Sequence, residues 1–97
     1  MEHLIFHHNG REYMVYDMLT VDEIKAVVMM GKERDKKLNP LSQKSADKYF
    51  QDTDKMAAVI LRRCFHMTDS QIAGIDQMER RDLASAFIRF LQSANKL

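Results

Sequence analysis

The sequence predicts an α+β domain, an N-terminal β-hairpin packed on a mainly α-helical bundle of four to five helices. Three observations carry this. Asn9-Gly10 separates two apolar-rich runs, start signals led by Thr20, Thr68 and Asp76 precede helical patterns, and apolar residues from position 41 onward recur at intervals of three and four.

The hairpin comes first. A type I′ turn needs positive φ at both central residues, and Asn-Gly tolerates it. With Asn9 and Gly10 as the loop, His8 faces Arg11, His7 faces Glu12, Phe6 faces Tyr13, Ile5 faces Met14 and Leu4 faces Val15. Leu4, Phe6, Tyr13 and Val15 then form the natural core face, and Ile5 and Met14, flanked by His7 and Glu12, form the other. An isolated hairpin is marginal in water, so helices must cover the first face.

Thr20-Val21-Asp22-Glu23 has the form of a capping box with acids at the positive end of the helix dipole. The helix it opens has Ile24, Val27, Val28 and Met30 on its apolar side, and Gly31 marks a point where its ordered part can end early. Lys36 and Lys37 suit its far end and Asn39-Pro40 stops it. The mixed-sign run Lys32–Lys37 reads as a solvated helix tail or loop rather than a phosphate site. From Leu41 to Met67 two helical segments are expected. The first carries Leu41, Ser45 or Ala46, Tyr49 and Phe50, the second Met56, Ala57, Ile60, Leu61 and Cys64, with Gln51-Asp52-Thr53-Asp54 dividing them. Thr68-Asp69-Ser70-Gln71 opens a short helix that Gly74 can terminate, and Asp76-Gln77-Met78-Glu79 opens the last and longest. There Leu83, Ala84, Phe87, Ile88, Phe90, Leu91 and Ala94 leave only a narrow polar stripe, the mark of a central helix or of one that also meets a partner.

Size and charge narrow the function. Ninety-seven residues make one small domain, residues 1–97, with the hairpin over 1–18 and the helical part over 20–97. A formal net charge of +1 gives no long-range field to gather phosphates or anionic lipid. The single Cys64 forms no internal disulfide. The N-terminus has no secretion-signal pattern and no apolar run approaches ~20 residues, so the chain is expected to be cytoplasmic.

Catalytic and metal patterns are scarce. His7 and His8 point to opposite faces of a strand, leaving only His3 and His7 together. Cys64 and His66, two apart on a helix, do not face each other, and Cys64 lies on the apolar stripe. No phosphate loop, His-Glu-x-x-His helix, nucleophile elbow or paired-Cys zinc pattern occurs. Neither an enzyme nor a cofactor is expected. A helix-turn-helix DNA-binding regulator is the sharper competitor, since Thr68–Gly74 followed by a helix resembles the first half of that motif, and Arg62, Arg63, Arg80 and Arg81 offer a basic patch. The motif's usual glycine falls on Gln77, however, and Glu79 and Asp82 oppose phosphates. An antitoxin or adaptor subunit is a further alternative.

Eight Met residues supply flexible, polarisable side chains suited to irregular apolar partners. The order of features, Leu4–Val15 as a hairpin, Met18–Glu23 opening a helix, then Met67–Ile72 and Asp76–Leu83 opening a short and a long closing helix, resembles the small tail assembly chaperones of long-tailed bacteriophages and prophages. That resemblance implies a non-enzymatic, ATP-independent holdase for apolar helical segments of the tape measure protein, in contact with the tail tube protein at hand-over and capable of self-association, without nucleic acid, membrane or small-molecule substrate. Met29, Met30, Phe65, Met67 and Phe90, at the edges of the apolar stripes, are the expected partner-binding residues.

Overall fold

The computed structural model describes residues 4–97. His3, expected from the sequence to share a strand face with His7, lies outside the described residues. Strands β1 (Leu4–His8) and β2 (Arg11–Val15) are followed by helices α1 (Val21–Lys37), α2 (Gln43–Phe65), α3 (Asp69–Ala73) and α4 (Gln77–Ala94).

The hairpin has the register expected of a two-residue Asn-Gly loop, from His8 opposite Arg11 to Leu4 opposite Val15. Asn9 and Gly10 both take positive φ, 50° and 75°, as a type I′ turn requires. Phe6 and Val15 are buried and Tyr13 packs against the core. Leu4 does not join them: it is 42% exposed, and Val15 alone fills the buried place at that end.

Thr20 caps α1 as a capping box, its hydroxyl accepting from the Glu23 amide while the Glu23 carboxylate accepts from the Thr20 amide. The same Glu23 carboxylate pairs with Arg63 on α2, Oε1 accepting from Nη2 at 2.7 Å and Oε2 from Nη1, so one side chain caps α1 and ties it to its neighbour. Gly31 does not end this helix, which continues to Lys37. Its backbone stays in ordinary helical conformation, and the helix tolerates the modest propensity cost of an interior glycine.

Two expectations for the middle of the chain are corrected. Leu41 is 96% exposed and precedes α2, whose cap is Ser42. The cluster Gln51–Asp54 does not divide the segment, because α2 runs unbroken through it. Three of its four polar side chains have partners, two on the helix itself and one on α4: Thr53 donates to the Tyr49 carbonyl at 2.7 Å, Asp52 pairs with Lys48 one turn back, and Asp54 accepts from Arg80 Nε at 3.0 Å. With those outlets the acids have no reason to compete for the helix backbone.

Helix α2 ends on His66, held in the left-handed region at φ 54° and ψ 33°. Its ring stacks on Tyr16 at 4.6 Å, and its Nε2 lies 2.9 Å from Asp17 Oδ2. The Cys64 carbonyl accepts from the Tyr16 amide at 2.8 Å, so the strand exit and the helix end are stitched together. A second capping box, Thr68 with Gln71, opens α3, and Asp76 caps α4 by accepting from the Met78 amide. One buried cluster draws on every element, from Phe6 and Val15 through Leu19, Ile24, Leu61 and Ile72 to Phe87 and Leu91. Its centre is aromatic: Phe87 meets Phe65 at 4.9 Å and Phe6 edge-on at 5.4 Å, a geometry that adds about 1 kcal/mol per pair beyond area burial.

Candidate functional site

The apolar stripe of α1 is deeply buried only at its start, where Ile24 is 0% exposed. Val27 and Val28 are half-buried, and beyond them α1 stands over a trench rather than a sealed interface. The part bounded by α1, α2 and α4 encloses about 220 Å³ and is floored by Val27, Val28, Met56, Ile60 and Ile88. The part between the far halves of α1 and α2 encloses about 390 Å³ and is lined by Met30, Leu38 and Tyr49. Arg34 and Met56 belong to both parts, so they form one trench with a bridge across it.

Arg34 makes that bridge. Its guanidinium carbon lies 5.1 Å from the centre of the Tyr49 ring, and Nη1 donates to Met56 Sδ at 3.3 Å. Its side chain is only 20% exposed, yet Nε has no hydrogen-bond partner and the closest carboxylate, Asp35, stays 4.0 Å away. A thioether and a π face are weak substitutes for the hydration such a cation gives up. Sequence reasoning missed Arg34 by assigning it to a solvated tail. The signal was its spacing, since Val27, Gly31, Arg34 and Leu38 recur at three and four and place it on the face toward α2.

The five expected partner residues are not brought together. Met29 is 62% and Met30 52% exposed, and they open on different sides of α1. Met30 lines the trench, whereas Met29 lines a groove of about 440 Å³ against the end of α4, with Ile24, Val28, Gln92 and Leu97. Phe65 is a core residue, 6% exposed and packed against Phe87 and Tyr13, so its ring is not presented to a partner in this conformation. Met67 and Phe90 are partly buried against the same cluster, Phe90 at 5.5 Å from Phe6. An apolar periodicity marks a helix face without saying whether the chain itself covers it, which is why core and rim residues were grouped together.

The four arginines read as a basic patch are each engaged locally. Arg62 Nε donates to Asp69 at 2.7 Å and Arg63 pairs with Glu23. Arg80, 15% exposed, holds Asp54 and the carbonyls of Ile72 and Ile75. Arg81 lies over the Phe50 ring at 4.8 Å. The Cys64 thiol is buried, and burial pushes its pKa up from the usual 9.0 to about 11, with Arg63 pulling it down and Asp17 adding to the rise. Among the described residues no three His, Cys, Asp or Glu side chains gather as a metal-binding group, and no helix is long and apolar enough to cross a membrane. Compared with protein-family models, curated proteins and solved structures, the chain matches none.

Proposed function

We propose that this chain is a tail assembly chaperone of a long-tailed phage or prophage, a non-enzymatic holdase that acts in the host cytoplasm on apolar helical segments of the tape measure protein and yields them to tail tube subunits. The order of sequence features resembles that family, and the single observation that carries the reading is the apolar-floored trench beside α1 with Met30 on its wall. A client helix laid there would cover the half-buried residues Val27 and Val28 and the flexible Met30 and Met56 side chains, the mode in which amphipathic helices enter apolar grooves. The affinity such a reading needs is modest, since a holdase must be displaced. An open trench lined by flexible Met side chains meets that need better than a closely fitted pocket would.

The test uses an aggregation-prone fragment of tape measure protein. The wild-type chain keeps the fragment soluble at stoichiometric ratio, and Met29→Ala,Met30→Ala loses most of that protection. Both side chains are largely exposed, so the double variant changes stability by less than about 1 kcal/mol in urea unfolding. Undiminished protection by the variant, or a fragment that precipitates beside the wild-type chain, defeats the proposal.

A further inference from the structure

The charge of the trench is not that of the molecule. Its lining holds six basic residues, Arg34, Lys37, Lys48, Lys55, Arg81 and Arg89, against two acids, Glu33 and Asp52, in a chain whose formal net charge is +1. The arginines divide in the same way. Outside the trench Arg62, Arg63 and Arg80 each hold a carboxylate at 3.0 Å or closer, and Arg11 stands 3.9 Å from Glu79. Inside it Arg34 has only Asp35 at 4.0 Å, Arg81 rests on Phe50 and Arg89 has no ion pair among the described residues. Lys37 and Lys55 are likewise free of any ion pair, and Lys48 alone is matched, to Asp52 at 3.6 Å.

Resting on the reading of the trench as a client surface, we propose that it takes an amphipathic helix whose apolar stripe is bordered by acidic residues, one carboxylate seating on Arg34. The apolar floor receives the stripe, while the lysine stems lie along the helix flanks and their ammonium groups meet its acids. Arg34 is already desolvated and fixed against Tyr49 and Met56, so a carboxylate arriving there gains a charge-assisted bond without first ordering the cation. A nucleic acid backbone would satisfy the cations yet gain nothing from Val27, Met30, Met56, Ile60 and Ile88, so the floor favours a peptide.

Three labelled helical peptides with one leucine stripe and flanks of Glu, Gln or Lys separate the possibilities when titrated with the full chain in fluorescence anisotropy. The Glu peptide is expected to bind about tenfold tighter than the Gln peptide, with the Lys peptide weakest, and the gap to close as salt rises toward 0.5 M. Lys37→Glu,Lys55→Glu, at two exposed and unpaired positions, should reverse the order of Glu and Lys peptides, whereas Lys44→Glu,Lys96→Glu, the same charge change outside the trench, should not. Equal binding of all three peptides overturns the charge inference and leaves the client-surface reading standing. Binding of none overturns both. Preferential retention on duplex DNA or on phosphatidylglycerol vesicles, or closure of the trench by a second copy in sedimentation, also overturns it by naming a different occupant.

Discussion

Cys64 shows how a single atom's surroundings decide its chemistry. Its side chain is fully enclosed and its thiol stays protonated up to about pH 11 in the folded chain, against the usual 9.0. Native protein at pH 8 should therefore resist a thiol reagent and label only through opening, at a rate that rises with urea. The raised pKa also fixes a sign. The stability that the buried thiol contributes is complete below about pH 9 and is lost as pH climbs through about 11, so the advantage of wild type over Cys64→Ala should shrink across that window. A labelling rate equal to that of the unfolded chain would refute the assignment. The sequence made Cys64 legible because it sits in a regular apolar stripe. Arg34 was hidden, because a cation on an apolar face looks like an interruption until the facing Tyr49 and Met56 are known.

At the scale of elements, the hairpin was readable to the residue because its register follows from a loop with only one compatible geometry. The three helix starts were readable for a similar reason, each resting on a local side-chain bond at Thr20, Thr68 or Asp76. The stops at Asn39-Pro40 and Gly74 held, and what failed were the two breaks expected inside helices. Gly31 and the Gln51–Asp54 cluster carry local preferences of about 1 kcal/mol, and partners distant in sequence, such as Arg80 on Asp54, outweigh them. Gly31 supplies a direct check. A Cβ there would meet only Arg34 Nη2, at an ordinary 3.6 Å, and its backbone is helical. Gly31→Ala should thus raise stability by about 0.5–1 kcal/mol in chemical denaturation, and a loss instead would mean that Arg34 needs the vacated space.

Across the whole molecule the chain spends its best packing at one end. The rings of Phe6, Phe65 and Phe87, the strand exit tied to the Cys64 carbonyl, and Glu23 held by Arg63 all gather near the hairpin and the first turn of α1. Composition and periodicity announced a core of this size. They were silent about its lopsidedness, which depends on which apolar faces meet. Helix α1 is consequently packed hardest at its start and held more lightly at its far end: Ile24 is its only buried residue, and from Met29 onward its ties are Arg34 on Tyr49 and Met56 and Ser45 Oγ, which donates to the Lys37 carbonyl and accepts from the Asn39 amide. Backbone amide exchange should be slow around Ile24 and Val27 and grow steadily faster toward Lys37, a gradient that uniform protection along the helix would rule out. Of the trench walls, the lightly held far half of α1 is the one that should yield first to a bulky guest. Fitting guests of different girth would then fall to the Ser45 tether and the Arg34 bridge, with the aromatic centre left undisturbed.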